Sequence, residues 1–339
     1  MQEPGENSVK DLIKKLVEAW GPSGYEYHVR ALIEEEVAEL VDEMHVDPLG
    51  NLICRVGSGG LKVMISAHMD EIGVMTTFVE PESGFLRFTS IGGLLNTTLA
   101  GNRVHFEDGT IGVLAVPDQF GAARTSVPDL DAFYIDISTG DGDATIEPGS
   151  PAGLWRELEE RGTRLIAKSM DDRIGCVVAI EAMRRLNKQT PNECYFVFSV
   201  QEEVGLRGAR PAAYGINPDV GIALDVTGTG DEIKSRKMAV RLGGGAAIKV
   251  HDSGLVVPPA VRDWMISRAQ ADGIAYQLEL LTGGTTDAAV IQIARAGVPS
   301  GCISIPCRYV HTTSETVDSR DVQACIDLLA GLLRNPATV

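Results

Sequence analysis

The sequence is poor in basic residues and contains no long hydrophobic run. Its 339 residues include 30 lysines and arginines against 47 aspartates and glutamates, which gives a formal net charge of -17. Nucleic acids and anionic membranes bind to basic surfaces, so neither is expected as a partner. No apolar run approaches the roughly 20 residues that a membrane-spanning helix needs, so no membrane span is expected either.

The sequence also lacks the cysteine patterns of disulfide-rich and zinc-finger proteins. Its six cysteines form no CxxC pair and have no regular spacing, and several lie in apolar runs, where a free cysteine behaves as a small hydrophobic residue. The first residues, MQEPGENSVKDLIKK, show no basic segment followed by an apolar one, so no signal peptide is expected. These absences together predict a protein of the reducing cytoplasm.

Hydrophobic patterning predicts an α/β sandwich with a mixed sheet, interrupted by a β-rich insertion. Residues 8–20 have helical periodicity, and the run LKVMISA, which ends just before His68, is typical of a strand buried on both faces. From residue 73 to residue 162, short β-type segments alternate with Gly, Asp and Pro turns. From residue 164 onward, apolar strands again alternate with helices. We therefore expect residues 1–72 and 163–339 to form one domain and residues 73–162 a small all-β domain.

Polar side chains that can bind metals follow the predicted strands of the larger domain. They are His68, Asp70, Asp171, Asp172, Glu202, Glu203, Asp225 and His311. Each lies at or just beyond the carboxyl end of a strand, where open α/β sheets place their active sites. A single such residue is more commonly a cap or a turn former, but so many at corresponding strand ends are hard to assign to capping.

The chemistry of this set favours a pair of divalent cations. Two imidazoles with several carboxylates suit zinc, cobalt or manganese. Asp171, Glu203 and Asp225 supply three negative charges, and a bridging hydroxide would supply a fourth, so two divalent cations would balance them. Glu202 would then remain outside the ligand set as a general base.

Six motifs in chain order resemble the M42 family of metallo-aminopeptidases, which includes the tetrahedral-particle, deblocking and glutamyl aminopeptidases. The motifs are ISAHMDEIGVM, KSMDDRIGC, VQEEVGLRGA, ALDVT, GGTTDAA and IPCRYVHTTSE. The resemblance extends over nearly the whole chain, from GPSGYE to the final helix. Two departures from the family pattern are GGTTDA in place of GGGTDA and VPDQF in place of a PPH turn, and neither involves an expected ligand.

The resemblance implies a role for each candidate residue. One metal ion would be held by His68 and Asp225 and the other by Glu203 and His311, with Asp171, the first of the DD pair, bridging them. Asp70 would orient His68, and Glu202 would shuttle protons.

The resemblance also implies the architecture, cofactors and partners. The fold would be a mixed-sheet α/β/α metallopeptidase sandwich with an inserted small all-β domain that serves oligomerisation. The enzyme would use two divalent ions per subunit (Zn²⁺, Co²⁺ or Mn²⁺) to remove N-terminal residues from peptides with a free N-terminus. It would assemble as a homo-oligomer, a dodecamer built from dimers.

Three other functions are weighed against this one. A carboxypeptidase or an N-acyl-amino-acid amidohydrolase needs a cationic group for the substrate's carboxylate, and the sequence shows none convincingly. A glycosidase is disfavoured because the adjacent Glu202 and Glu203 would point apart on an extended backbone. An inactive assembly scaffold would not need an intact ligand set together with Glu202.

Overall fold

The computed structural model contains two β structures, a large mixed sheet of 11 strands and a small closed barrel. It describes residues 6–117, 126–138, 146–234 and 237–339, and the side chains of residues 6–8 are not described. Residues 118–120, which complete the VPDQF segment noted above, lie outside this part of the chain.

Outside the barrel, the chain contains both strands and helices, and helices separate most of the strands after α3. The strands are β1 (Glu43–Val46), β2 (Leu52–Val56), β3 (Lys62–His68), β4 (Gly73–Val79), β5 (Leu86–Ile91), β6 (Arg103–Phe106), β7 (Ile111–Ala115), β8 (Tyr134–Asp136), β9 (Pro151–Leu154), β10 (Glu159–Arg161), β11 (Arg164–Ala167), β12 (Glu193–Ser199), β13 (Val220–Thr227), β14 (Ala246–His251), β15 (Tyr276–Leu280), β16 (Ser300–Arg308) and β17 (Glu315–Asp318). The helices are α1 (Glu6–Glu18), α2 (Tyr27–Val37), α3 (Met170–Leu186), α4 (Ala209–Ile216), α5 (Pro259–Ala271), α6 (Asp287–Gln292) and α7 (Ser319–Leu333).

The large sheet is covered by helices on both faces. Successive side chains of a strand point to opposite faces, so on β3 Ile65 packs into the core that contains α1, α2, α3, α5 and α7, while Met64 packs with α4 and α6. Both residues are almost completely buried. The three-layer α/β/α arrangement predicted from the sequence is therefore confirmed.

Four neighbouring strands in the centre of this sheet run parallel, in the order β12-β3-β13-β16. The outer pairs of β12 with β2 and of β16 with β17 are antiparallel, which makes the sheet mixed. Ser199 at the end of β12 lies opposite His68 at the end of β3, and Asp225 on β13 lies opposite Ser304 on β16. The carboxyl ends of the parallel strands thus meet at one edge of the sheet.

The barrel closes in the order β4-β5-β8-β7-β6-β9 and has its own apolar core. All of its strand pairs are antiparallel. The described residues between β4 and β9 include short 3₁₀ turns but no α-helix, as expected for an all-β insertion. The barrel strands end at Leu154, and β10, within the range 73–162 assigned to the insertion, pairs with β11 of the large sheet.

Two predicted helices are shorter in the structure. The pattern after residue 28 predicts a helix as far as residue 43, but α2 ends at Val37 because Glu43–Val46 pairs with β2. The pattern at residues 288–297 predicts a longer α6, which ends at Gln292. Arg295, three residues beyond this end, has a φ of +49°, which a continuing helix does not allow.

The burial of the cysteines agrees with their place in apolar runs of the sequence. All six cysteines are buried and free of disulfide bonds. Among the described residues, no helix is long and apolar enough to cross a membrane.

Candidate metal centre

The predicted site residues converge on the edge where the parallel strands end. His68 is the last residue of β3, and Asp225 lies two residues before the end of β13. Glu202 and Glu203 lie in the loop after β12, and His311 lies in the loop after β16. The proximity that we expected from strand ends is therefore present.

Asp171 lies between the two histidines. Its Oδ1 is 3.0 Å from His68 Nε2, and its Oδ2 is 3.4 Å from His311 Nε2. Asp171 belongs to the first turn of α3 but keeps extended backbone angles (φ -78°, ψ 106°), and this backbone presents its side chain to both imidazoles. One carboxylate thus contacts both histidines, with a different oxygen for each.

Two groups of side chains could each hold a metal ion, and Asp171 belongs to both. The first group is His68, Asp171 and Asp225, and the second is Asp171, Glu203 and His311. Within each group the candidate ligand atoms lie within 4.8 Å of one another. The structure thus divides the five predicted ligands in the way that the sequence resemblance implies.

Asp172 occupies a different position from Asp171, although the two side chains are chemically the same. Its Oδ1 accepts a hydrogen bond from the Gly175 amide at 3.0 Å, and its Oδ2 lies 3.3 Å from the His68 amide nitrogen. These contacts hold the Asp172 carboxylate against the backbone amides of β3 and α3. The geometry therefore favours Asp171 over Asp172 as a shared ligand.

Asp70 links the first histidine to the loop that carries the two glutamates. His68 Nδ1 is 3.3 Å from Asp70 Oδ1 and 3.2 Å from the Asp70 carbonyl oxygen. The Asp70 carboxylate also accepts hydrogen bonds from the amides of Glu202 (3.0 Å) and Glu203 (3.1 Å) and from Ser23 Oγ (2.6 Å). One buried carboxylate thus positions parts of both groups.

The histidine hydrogen bonds fit a bound metal ion. The Nδ1 atoms of His68 and His311 both face acceptors, Asp70 for the first and the Gly93 carbonyl oxygen, 2.8 Å away, for the second. A metal ion binds the neutral imidazole, and in that form the proton on Nδ1 faces the acceptor and leaves Nε2 with a lone pair on the side of Asp171. This is the arrangement that metal-binding histidines commonly adopt.

The charge of the site also fits bound cations. Asp171, Glu203 and Asp225 are almost completely enclosed, and Glu203 Oε1 is buried without a hydrogen-bond partner. Buried carboxylates require a cation or hydrogen bonds. Among the described residues that line the adjacent cavity there is no lysine or arginine, so a metal ion is the natural counter-charge.

The pKa shifts of the site have the same cause, since several carboxylates are buried close together. Burial raises the pKa of Asp225 well above its usual value, and the nearby Asp171 raises it further. Burial raises the pKa of Glu202 strongly, and His68 only partly opposes this effect. Burial lowers the pKa of His311, but hydrogen bonds with Asp171 and Glu203 outweigh it and raise the pKa to about 12. The carboxylates thus attract positive charge to this edge.

Glu315 connects the two groups by hydrogen bonds to their backbone amides, a role that the sequence pattern does not predict. Its Oε2 accepts a hydrogen bond from the Asp171 amide at 3.0 Å, and its Oε1 accepts one from the His311 amide at 2.8 Å. Glu315 is 2% exposed, and burial together with the charge of Asp171 raises its pKa to about 8. The only sequence signal was its place in the motif IPCRYVHTTSE.

Asp287 is a second buried carboxylate with an unexpected role. Thr286 and Asp287 precede or begin α6 and are residue types that commonly cap helices, but neither side chain makes a capping hydrogen bond. The Asp287 carboxylate instead accepts hydrogen bonds from Ser66 Oγ (2.7 Å) and Ser199 Oγ (2.6 Å). It thereby joins α6 to β3 and β12 just behind the site.

The barrel also reaches the site. The Gly93 carbonyl oxygen that contacts His311 lies in the loop after β5, and Leu95 of the same loop lines a cavity of about 590 Å³. The cavity is also lined by Asp171, Glu202, Glu203, Asp225 and His311. A substrate in the cavity would therefore contact both the sheet edge and the barrel.

Comparison with known proteins gives a consistent result. A family model described as M42 glutamyl aminopeptidase matches residues 50–328. A protein of Acetivibrio thermocellus is 42% identical over 327 residues, which cover 96% of this chain and 98% of that protein. The aminopeptidase APDkam598 from the archaeon Desulfurococcus kamchatkensis has a similar structure, with a TM-score of 0.91 and 38% identity over 98% of this chain and 96% of that one. The TET1 peptidase of Pyrococcus horikoshii is described as able to assemble into a tetrahedron or a large octahedral shell. Its structure matches with a TM-score of 0.85 and 30% identity, over 96% of this chain and 99% of that one.

Proposed function

The chain belongs to the M42 family of peptidases and is an aminopeptidase, and we propose that it removes single residues from free peptide N-termini with two divalent metal ions. The observation that carries this proposal is the Asp171 carboxylate. Its two oxygens lie 3.0 Å from His68 Nε2 and 3.4 Å from His311 Nε2. A carboxylate placed in this way can serve two cations at once, as in other two-metal hydrolases.

The family is metal-dependent, and the two groups of side chains that could each hold an ion support the following ligands. His68 and Asp225 would hold one ion, Glu203 and His311 the other, and Asp171 both. Imidazole and carboxylate ligands suit Zn²⁺, Co²⁺ or Mn²⁺.

Two acidic side chains outside the ligand set would support the reaction. Bound divalent ions supply a polarised scissile carbonyl and a water molecule whose pKa is lowered toward neutrality. Glu202, whose Oε2 lies 3.9 Å from His68 Nε2, would take a proton from the water and deliver it to the leaving amine. Asp70 keeps the His68 ring in position through Nδ1.

The carboxylate-rich edge also accounts for exopeptidase action. A free α-amine is positively charged or has a lone pair for a metal ion, and Glu202, Glu203 and Asp225 line the cavity that would receive it. An acetylated amine has neither property. Loss of one charge-assisted contact at an enclosed site lowers kcat/KM by about ten- to a hundredfold.

A peptide and its N-acetylated twin, each incubated with metal-loaded protein and followed by mass spectrometry, test this function. We expect sequential losses of one residue from the free peptide alone. Internal cuts, removal of C-terminal residues or equal cleavage of the acetylated peptide would contradict the proposal. The last two outcomes would favour a carboxypeptidase or an N-acyl-amino-acid amidohydrolase.

The barrel, with the rest of residues 73–162, is proposed to serve assembly into a homo-oligomer, a dodecamer built from dimers. The TET1 peptidase of Pyrococcus horikoshii is described as able to assemble into a tetrahedron or a large octahedral shell. On the outer face of the barrel, Ile111 and Val113 of β7 also expose neighbouring apolar side chains, and exposed apolar surface often marks an interface. Light scattering of the intact, metal-loaded protein tests this proposal, and a monomer would contradict it.

A further inference from the structure

The cavity is lined by the candidate metal centre and by other residues, and most of these others are not acidic. Its volume of about 590 Å³ falls within the usual range of small-ligand pockets. Five of these other lining residues form what we call the apolar wall: Leu95, Val226, Met238, Leu281 and Val310. Such a wall suits the aliphatic part of a substrate side chain.

The charge of the cavity comes from acidic residues. Five carboxylates line it, and four of them belong to the metal centre, where bound cations would balance them. Among the described lining residues, Glu232 is the one carboxylate outside that centre. No described lining residue is a lysine or arginine, so Glu232 is the one charged side chain among the described lining residues outside the metal centre.

The arginine nearest to the apolar wall in the chain is already paired. Arg308 follows Cys307, a lining residue, and its guanidinium donates to both oxygens of Asp231, at 3.1 and 2.7 Å. A guanidinium held in this way by a carboxylate has little charge left for an acidic substrate. His311 faces Asp171 and Glu203. Lys234 and Lys237, close in the chain to Glu232 and Met238, are exposed and do not line the cavity.

We propose that Glu232 makes the enzyme selective for peptides with a basic N-terminal residue, lysine or arginine, and against those with an acidic one. This inference rests on the proposed function, since it concerns the residue whose peptide bond is cut. The methylene groups of the side chain would pack on the apolar wall while its cationic end meets Glu232. The hydroxyls of Thr227 and Thr286, buried without hydrogen-bond partners, would bind polar groups of either charge, so the selectivity comes from Glu232.

Aminoacyl anilides that differ only at the end of the side chain provide the kinetic test. Lysine and norleucine have the same aliphatic stem, and only lysine carries the ammonium group. For the metal-loaded protein we expect kcat/KM to be about tenfold higher for the lysyl than for the norleucyl anilide, and lowest for the glutamyl anilide. The Glu232→Gln variant is expected to lose the lysine advantage and keep the norleucine rate within about twofold, while Glu232→Lys should favour the glutamyl anilide.

A matched control removes the same charge elsewhere. Glu39 is exposed beyond the end of α2, so Glu39→Gln should leave the lysine-to-norleucine ratio unchanged. An unchanged ratio in Glu232→Gln, or a wild-type preference for the glutamyl anilide, would overturn the proposal.

Calorimetry of lysinamide and norleucinamide binding separates this inference from the proposed function, because it needs no turnover. Tighter binding of lysinamide to the wild-type protein, lost in Glu232→Gln, would support the role of Glu232 even if no anilide were cleaved, in which case the proposed function would be wrong. Equal affinities for the two amides would refute the inference, whatever the activity.

Discussion

The two groups of candidate ligands that share Asp171 lie in different settings. In the deep half, His68 and Asp225 belong to the neighbouring buried strands β3 and β13, and they are 2% and 6% exposed. In the shallow half, Glu203 and His311 lie in loops beyond β12 and β16, and the His311 side chain is 27% exposed. The strands of the sheet therefore carry both side chains of the deep half, while those of the shallow half lie in loops and depend more on other contacts.

Of those other contacts, one is local in the chain and one comes from a distant segment. Glu315 accepts the His311 amide, and the Gly93 carbonyl oxygen from the barrel faces His311 Nδ1. His311 itself has a φ of +64°, in the left-handed region that non-glycine residues rarely adopt, so surrounding contacts must hold it there. We therefore expect the deep half to bind its ion more tightly and the shallow half to exchange its ion faster.

Removal of Asp171 should break both halves at once and have the largest effect. For Asp171→Ala we expect loss of both ions and a decrease in kcat/KM of about 10⁴-fold or more, since the metals supply much of the transition-state stabilisation. His68→Ala should empty mainly the deep half and His311→Ala the shallow half. Elemental analysis of the three purified variants checks this order, and an Asp171→Ala protein that keeps two ions would contradict it.

Glu202→Gln should stop the chemistry without disturbing either half. Glu202 lies beside the deep half but outside both groups of ligands. Loss of a general base lowers kcat by about 10²–10⁴-fold. Steady-state kinetics with a parallel metal determination tests the assignment, which a nearly normal kcat at full metal occupancy would exclude.

Glu315→Gln should weaken the connection between the halves. The amide can accept only one of the two backbone hydrogen bonds, so Asp171 or His311 loses its partner. Removal of a group that positions a metal ligand typically costs about 10- to 100-fold in metal affinity or activity. Isothermal titration with Zn²⁺ measures the affinity.

Asp321 offers a matched control for this variant. Its buried carboxylate likewise accepts two backbone amides, those of Gly243 and Gly245, both at 2.7 Å, but it does not line the cavity. Asp321→Asn should lower stability and leave Zn²⁺ affinity unchanged. The same loss of affinity in both variants would mean that Glu315 acts on folding alone.

Gly93→Ala should produce the smallest effect, confined to the shallow half. A Cβ at this position would lie 3.0 Å from His311 Nδ1 and 3.1 Å from its Cε1, so the ring must shift by a few tenths of an ångström. We expect a decrease in kcat/KM of about two- to tenfold, because small displacements of catalytic groups are costly. Gly215→Ala on α4, where the added Cβ meets no atom within 4 Å, serves as the control. Equal kinetics for both variants would show that the barrel does not orient His311.

The same contrast explains how much could be predicted from the sequence. Continuous apolar runs mark buried parallel strands, so the ends of β3 and β12 and the residues that follow them were predictable. The contacts of the shallow half were not, because Gly93 and His311 are 218 residues apart and no local pattern joins them. Asp171 and Asp172 could be distinguished only through the family resemblance, since their chemistry is identical and backbone geometry separates them.

Metal titration of the metal-free wild-type protein tests the central claim most directly. Zn²⁺ or Co²⁺ is added in steps, bound ions are counted per chain, and activity on an aminoacyl anilide is followed in the same samples. The account predicts two bound ions per chain at saturation, the first held more tightly than the second, with full activity only when both are present. A single ion per chain at saturation, together with full activity, would contradict it.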